Sequence, residues 1–461
     1  MQKHFTTLQI LVFVCLFIPA MSQQDYLIKF RIKGIKDTTC IIANYYGNGT
    51  YVKDSIKVDG NGKCVFKAKT DLPKGMYIFI ISEKNYFDFI VNDDHKFSME
   101  TDVQNPIKNM IIRDSPENSL FYQYLRYNKE QYDIMMGIQD HLKKVKENND
   151  SVKILSDQIN QMNKDLIAYK LDLIKEHPRA FLNLLINTMK EPEIKDSTTT
   201  YQYYKEHFWD DVDFTDDRIL RTPVFHPKLK KYFDNVLIQI PDSIIHESDI
   251  MIDKSRPNSE MFKYLVWFMT SHYENSEIMG FDKIFVHVVD TYYSTGQATW
   301  VSKTTTENII KKSDRLKPIL LGKKAPNMIM QDTSFRLVSM HNINAKYLVI
   351  LFWDPSCGHC EHEIPKIKAF YDVNKEKYGL EVLAVCSDTS LVKWKEAIKS
   401  KHLNWINVDG PRTLTGDYHE QYDVITTPVL YLLDERKVIL AKQLPWEKME
   451  KFLENRYNEN K

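Results

Sequence analysis

The sequence predicts a multidomain protein with an N-terminal antiparallel β domain, a central all-α domain and a C-terminal α/β domain. The chain has 461 residues, and at about 150 residues per domain this exceeds one ordinary core. The apolar pattern has a period of two at first, becomes helical near residue 115, and alternates between strands and helices after about residue 317. We therefore expect domains at 23–113, 114–316 and 317–461.

The charge balance gives no electrostatic reason to expect nucleic acid as a partner. The chain carries 62 basic and 62 acidic residues, and its formal net charge is zero. Nucleic-acid binding depends largely on a basic surface, so we expect no nucleic-acid partner. A hydrophobic content of 43% and a charged content of 27% are typical of a soluble globular protein.

The first 22 residues resemble a secretory signal peptide. Lys3 begins a short basic start, residues 8–19 are apolar, and Ala20 and Ser22 place small side chains before a cut. The alternative is an uncleaved membrane anchor, but the run is short for a spanning helix of about 20 residues. We expect export and cleavage near Ser22.

Residues 26–112 read as short strands. Tyr26–Ile32 alternates between apolar and polar residues, and Asp59–Gly62 is a hairpin signal, because Asn and Gly tolerate positive φ. We expect a small antiparallel sandwich or open barrel. Cys40 and Cys64 lie in neighbouring predicted strands, either as small core residues or as a stapling disulfide.

A helical pattern follows the predicted strands. Ser115 is placed as an N-cap, with Pro116 at the first helical position. A second run, Ile154–Ile174, carries apolar residues at helical spacing. The pattern predicts a helical hairpin followed by further helices.

The last third of the chain alternates strands with helices. Tyr347–Trp353 and Leu380–Cys386 are continuous apolar runs, which are typical of parallel strands buried on both faces, and Ile364–Tyr378 between them is helical. This order predicts a sheet covered on both faces by helices.

A cysteine pair lies where the first of these strands meets its helix. Cys357-Gly358-His359-Cys360 follows the strand directly and opens the helix. The free amides and the positive end of the helix dipole favour a thiolate on Cys357. Cys360 is one turn further on, where it can attack a mixed disulfide formed by Cys357. The motif predicts thiol-disulfide exchange.

From about Leu320 to Tyr457 the chain resembles the thioredoxin superfamily, in particular the TlpA/ResA-like envelope thiol-disulfide oxidoreductases. The matching residues are Gly322, Ala325 and Pro326 at the start, Phe352 and Trp353 before the cysteines, Glu363 and Pro365 after them, Tyr422–Val424, and Thr426–Pro428. The resemblance implies a thioredoxin-like fold for the C-terminal domain.

The resemblance also implies substrate-binding residues. In the family a cis-proline lies beside the disulfide, and the residue before it presents its backbone to a bound substrate chain. These roles pass to Pro428 and Thr427, and we also expect Trp353 and His359 to contact the substrate.

Two positions depart from cytosolic thioredoxin. Position 351 is Leu in place of a buried acid, and the envelope family suggests that Glu363 takes over proton transfer as a third catalytic residue. Its alternative is a surface carboxylate in the first turn of a helix. His359 replaces the proline of reductive members, which moves the expected potential toward the isomerase value of about −180 mV and away from about −270 mV. The redox direction therefore stays open.

Other uses of the cysteine pair fit less well. Haem attachment needs a histidine after the second cysteine, where Glu361 stands, and zinc needs two further ligands at a suitable spacing. An AhpC-type peroxidase shares the fold, but it would use a single cysteine of low pKa. We expect no cofactor and no metal.

These observations predict an exported, periplasmic enzyme, a thiol-disulfide oxidoreductase whose partners are protein thiols and disulfides. In the family's usual arrangement a membrane thiol carrier of the DsbD/CcdA kind keeps such a dithiol reduced. The β-rich and helical segments look like uncharacterised domain families that precede envelope thioredoxin domains. The alternative is an envelope binding or scaffold protein with a structural, non-catalytic thioredoxin-like domain. Anchoring to the inner membrane by an uncleaved signal is a less favoured location.

Overall fold

The computed structural model describes residues 26–69, 72–144, 149–194 and 200–459. The chain forms two compact units, the first ending at Tyr232 and the second beginning at Phe233. The expected signal peptide lies outside the described residues, so its cleavage near Ser22 stays a prediction, as do the three domain boundaries. No helix in the described ranges is at once long enough and apolar enough for a membrane span.

The first unit begins with a β sandwich. Its strands in the described residues are β1 (Tyr26–Lys33), β2 (Thr38–Tyr46), β3 (Gly49–Val58), β4 (Lys63–Ala68), β5 (Gly75–Ser82), β6 (Asn85–Val91), β7 (Lys96–Asp102) and β8 (Ile111–Arg113). They form two four-stranded sheets with the orders β4-β1-β7-β8 and β3-β2-β5-β6. The expected β domain is confirmed, but β1 and β7 pair in parallel, because the chain between them builds the second sheet and adds β4 before it returns.

The core of the sandwich is aromatic. The rings of Phe30 in β1 and Phe79 in β5 lie 4.7 Å apart between centroids. Cys40 and Cys64 are buried in the same core as free thiols. Burial raises the pKa of Cys64 to about 12. The structure therefore presents these two cysteines as small core residues.

The turn at Asp59–Gly62 links the two sheets, so the expected hairpin is wrong. Asp59 Oδ1 accepts hydrogen bonds from the N–H groups of Asn61 and Lys63, each at 2.8 Å. The strands that the turn joins belong to different sheets. Gly62 has φ 74°, and a Cβ there would lie 2.2 Å from the carbonyl oxygen of Ile32. The close approach to β1, together with the backbone angle, requires glycine.

In the described residues, the α-helices of the first unit follow the sandwich, and the buried side chain of Asn118 is one of the groups that join them to it. The helices are α1 (Pro116–Lys144), α2 (Asn149–Glu176), α3 (Phe181–Met189), α4 (Tyr201–His207) and α5 (Phe225–Lys231). The predicted N-cap is confirmed, because Ser115 Oγ accepts from the N–H of Asn118 at 3.2 Å. The amide of Asn118 bonds both the N–H and the carbonyl of Ile90, at 2.7 and 2.9 Å.

In the described residues of the second unit, a group of α-helices comes first and an α/β layer follows. The helices are α6 (Pro241–Ser255), α7 (Ser259–Tyr273), α8 (Asp282–Val288) and α9 (Lys303–Leu316). The strands of the layer are β9 (Ile329–Asp332), β10 (Leu337–Ser339), β11 (Tyr347–Trp353), β12 (Leu380–Cys386), β13 (Ile406–Asp409), β14 (Val429–Asp434) and β15 (Ile439–Lys442). Its helices are α10 (Gly358–Tyr378), α11 (Leu391–Ser400), α12 (Tyr418–Gln421) and α13 (Trp446–Glu459).

The seven-stranded sheet of this layer has the order β10-β9-β13-β12-β11-β14-β15. Strands β11, β12 and β13 are parallel, and β14 runs antiparallel to β11. The two predicted apolar strands match β11 and β12 residue for residue. This confirms the thioredoxin-like α/β fold that the sequence predicts.

Helices α6 to α9 share a compact unit with this sheet rather than with α1 to α5. Lys442 on β15, whose side chain is 4% exposed, pairs with Asp282 on α8 at 2.5 Å. Its Nζ also donates to the carbonyl oxygen of Ile319 at 2.8 Å. Arg315 on α9 pairs with Asp423, in the loop before β14, at 3.6 Å. The Lys442 contacts join β15 to α8 and Ile319, and the Arg315 contact joins α9 to the loop that leads into β14.

We predict that Gly62→Ala lowers the free energy of unfolding of the first unit by about 1–3 kcal/mol, because alanine at this φ is strained and its Cβ meets the backbone of β1. Urea denaturation followed by circular dichroism measures the change. Gly60→Ala in the same turn is the matched control, since its Cβ would meet Asp37 at an ordinary 3.5 Å. Equal stability of the two variants would contradict the prediction.

Candidate functional site

The turn between β11 and α10 places Cys357 at a helix N-terminus. Asp354 Oδ1 accepts from the N–H of Ser356 at 2.6 Å, and the Asp354 carbonyl accepts from the N–H of Cys357 at 3.1 Å. Cys357 is the N-cap residue of α10, and its carbonyl accepts from the N–H of Glu361 at 3.0 Å. The free N–H groups of the first turn therefore lie around the Cys357 thiol.

The Cys357 thiol also contacts the loop before β14. It donates a hydrogen bond to the carbonyl oxygen of Thr427 at 3.2 Å, and the Thr427–Pro428 peptide bond is cis, as the resemblance implies. Partial burial favours the neutral thiol. The nearby backbone N–H groups of Cys360 and His359 stabilise the thiolate, and the net result is a pKa of Cys357 below its ordinary value.

Cys360 has the opposite character. It is buried at 1% exposure within the core of the α/β layer. Burial, more than any other cause, raises the pKa of its thiol to about 11, and the neighbouring Cys357 adds to the shift. The pair thus combines an accessible thiol, which ionises readily, with a protected one that stays protonated at neutral pH.

Glu363 has features of both alternatives, a proton-transfer residue beside the dithiol and a surface carboxylate. Its side chain is 21% exposed, and Oε1 accepts from Lys366 Nζ at 2.8 Å. Oε2 is buried and has no hydrogen-bond partner among the described residues. The carboxylate is therefore partly buried, with one oxygen in an ion pair and the other without a partner among the described residues.

Trp353 does not occupy the position expected for a substrate-binding residue, and this assignment is corrected. It is 0% exposed and belongs to the core cluster that contains Cys360 and Ile364. All seven residues of β11 are buried, because the strand is covered on both faces. A side chain at its end points into the core and presents no surface to a substrate.

The remaining cysteine of the α/β layer is separate from the dithiol. Cys386 ends β12 opposite Trp353 and is buried. Burial chiefly raises the pKa of its thiol to about 12.

In the described ranges no group of three or more His, Cys, Asp or Glu side chains is arranged to bind a metal.

A cleft of about 770 Å³ opens beside the cysteine pair within the second unit. His359, Glu363, Thr427 and Pro428, four of the predicted site residues, line it. The opposite side is formed by residues 273–276, at the end of α7, and by Lys312, Arg315 and Leu316 of α9. Sequence reasoning missed this helical side, since no motif marks these residues.

Three family models match successive parts of the chain. Residues 321–442 match the AhpC/TSA family. Residues 26–146 and 188–316 match two domains of unknown function, DUF4369 and DUF5106. The matches to domains of unknown function imply no activity.

Curated relatives of the C-terminal part are named thiol-disulfide oxidoreductase ResA. The protein of Bacillus thuringiensis subsp. konkukian is 28% identical over 137 residues, which cover 29% of this chain and 76% of the relative. That of Bacillus subtilis is 28% identical over 120 residues, covering 26% of this chain and 64% of the relative.

Solved structures also match parts of this chain. A domain of a possible thiol-disulfide isomerase from Cytophaga hutchinsonii is 38% identical, with a TM-score of 0.29, and the match covers 31% of this chain and 96% of that one. A thioredoxin-like protein from Bacteroides caccae is 21% identical, with a TM-score of 0.45, and the match covers 57% of this chain and 97% of that one.

We predict that alkylation of Cys357 by iodoacetamide persists to lower pH than alkylation of N-acetylcysteine. A lowered pKa leaves more thiolate at any pH below the ordinary value, and the thiolate is the reacting form. The rate is measured against pH by mass spectrometry of the full chain. Loss of this fast modification in Cys357→Ala assigns it, and a midpoint at or above that of N-acetylcysteine would contradict the prediction.

Proposed function

We propose, from the premise that residues 321–442 form a thioredoxin-like domain of the AhpC/TSA family, that this protein is an exported thiol-disulfide oxidoreductase. It would exchange disulfides with protein substrates through Cys357 and Cys360. The observation that carries the proposal is the position of Cys357, which is the N-cap residue of α10 and whose thiol lies 3.2 Å from the carbonyl oxygen of Thr427. Relatives named thiol-disulfide oxidoreductases support oxidoreductase activity at the level of the family.

The exchange proceeds in two steps. The Cys357 thiolate attacks one sulfur of a substrate disulfide, so that the substrate S–S bond breaks, a mixed disulfide forms and one substrate sulfur leaves and takes up a proton. Cys360 then loses its proton and attacks the sulfur of Cys357. The mixed disulfide breaks, a Cys357–Cys360 disulfide forms, and the second substrate sulfur leaves as a thiol. The substrate gains two electrons and the dithiol loses two.

The second step needs a proton acceptor, because the pKa of Cys360 is about 11. Glu363 is three residues further along α10, a spacing that places two side chains on the same helix face. Its Oε2 has no partner among the described residues. We assign Glu363 the role of taking this proton, directly or through water.

The remaining roles follow from the surfaces around Cys357. Thr427 and Pro428 would hold the backbone of the substrate, and the exposed His359 would border it. The reverse sequence of steps oxidises a substrate dithiol, so the partners set the direction. We place the protein in the periplasm, where a membrane thiol carrier of the DsbD/CcdA kind would return the Cys357–Cys360 disulfide to the dithiol.

We predict that Cys360→Ala, expressed as the full chain in a periplasm, accumulates mixed disulfides with other proteins. Without the resolving thiol, the covalent intermediate on Cys357 cannot be released. Non-reducing electrophoresis displays the adducts, and mass spectrometry identifies their protein partners.

Two matched variants control for chemistry at other cysteines. Cys357→Ala should form no adducts, and Cys386→Ala, which removes a buried thiol of the same domain, should resemble the unaltered protein. If Cys360→Ala and Cys357→Ala both lack covalent partners, the redox proposal fails. A scaffold with a structural thioredoxin-like domain then takes its place.

A further inference from the structure

The cleft beside the cysteine pair has one wall from the α/β layer and one from the helices that precede it. The first wall contains the loop from Asp423 to Pro428 and the side chain of Glu363. The second contains Glu274, at the C-terminal end of α7, and Lys312 and Arg315 on α9. The second wall lies outside the segment that matches the AhpC/TSA family, 321–442.

The cleft is continuous with the reactive sulfur. Thr427, whose carbonyl oxygen accepts from the Cys357 thiol at 3.2 Å, is one of its lining residues. A polypeptide whose sulfur bonds to Cys357 and whose backbone lies along Thr427 therefore borders this cleft. Ile425, at 84% exposure, offers an apolar side chain on the same loop.

Ion pairs hold the helical wall in place. Lys312 Nζ contacts Glu274 at 3.2 Å and the side-chain oxygen of Asn275 at 2.9 Å. Arg315 reaches across to Asp423 at 3.6 Å and to Glu420 at 3.3 Å. The wall is thus joined to the loop that carries Thr427, and its charges have defined positions.

The charges that line the cleft are unbalanced. Two cations face four carboxylates, and these charged lining residues are Lys312, Arg315, Glu274, Asp282, Glu363 and Asp423. Among the direct ion-pair partners just outside the lining, Lys366 and Lys442 add two positive charges and Glu420 adds one negative charge, which leaves an excess of one carboxylate. Glu447, which pairs with Lys366, restores the excess to two. The field in the cleft is therefore attractive to cations.

We propose that the helical wall selects the substrate of the redox site: the cleft binds an extended polypeptide segment that carries a basic residue next to its cysteine. This rests on the proposed disulfide exchange and adds its substrate class. An extended chain advances about 3.3–3.6 Å per residue, so a residue adjacent to the bonded cysteine reaches the cleft beside Thr427.

The test uses the fully reduced chain and cystine-bridged peptide dimers that differ only in the two residues flanking cysteine, which are lysine, serine or aspartate. The readout is the ratio of the second-order rate constants for the lysine and aspartate peptides at about 0.1 M salt, where screening acts over about 10 Å. We expect a ratio of about three to ten, falling toward one in high salt.

Two variants should shift this ratio in opposite directions. Lys312→Glu makes the wall more negative and raises the ratio, whereas Glu274→Gln removes a negative charge and lowers it. General damage to the fold cannot produce opposite shifts. Lys303→Glu is the matched control: it lies nine residues earlier on α9, about 13 Å along the axis, with its side chain 90% exposed, and it should leave the ratio unchanged.

The rate with 2-hydroxyethyl disulfide, which has no flanking residues, separates the two proposals. If the reduced chain does not react with it, disulfide exchange itself fails. If it reacts but the peptide ratio is near one, or if the ratio is the same in Lys312→Glu and Glu274→Gln, the helical wall does not border the substrate and this inference is overturned.

Discussion

The pairing of β11 with β14 is the constraint on which the candidate site depends. Phe352, near the end of β11, is opposite Val429, the first residue of β14. Cys357 follows the first strand by a short turn, and Pro428 precedes the second. This register alone brings two segments 70 residues apart to the same edge of the sheet. A slip by one residue would turn every side chain of β14 to the opposite face.

The two thiols differ in pKa because Cys357 lies near the surface at this edge of the sheet, whereas Cys360 lies in the core. Cys357 stands where the helix begins and its amides are unpaired, while Cys360, one turn later, already faces the core. The same helix therefore lowers one pKa and, by burying the second sulfur, raises the other. The difference decides which sulfur meets a partner first.

The sequence predicted the parts that depend on local pattern and could not predict those that depend on packing. Strands β11 and β12 are continuous apolar runs, and their bounds were predicted correctly. Asp59–Gly62 carries a hairpin signal, but the signal does not say that Gly62 would lie against Ile32 in a third strand. The expected substrate contact of Trp353 was wrong, because its place in a doubly covered strand buries it.

The helical wall of the cleft is the part of the site that the sequence did not predict. Lys312 and Arg315 look like ordinary exposed positions of an amphipathic helix, and Glu274 looks like a polar helix end. Their importance arises only because α9 contacts a segment that begins with α12, more than 100 residues later, as the Arg315–Glu420 pair shows. No periodicity in one sequence carries such a long-range contact.

The buried lysine of β15 limits how the α/β layer could be transferred between proteins by recombination. Lys442 is satisfied by Asp282 and by the carbonyl of Ile319, both earlier than the segment that matches the AhpC/TSA family. A cation shut away from water without its counter-charge is costly. A gene fusion that carried residues 321–442 alone into another protein would separate Lys442 from both of these partners. Recombination is therefore expected to move this layer together with α8 and the turn at Ile319, or to replace the lysine when it does not.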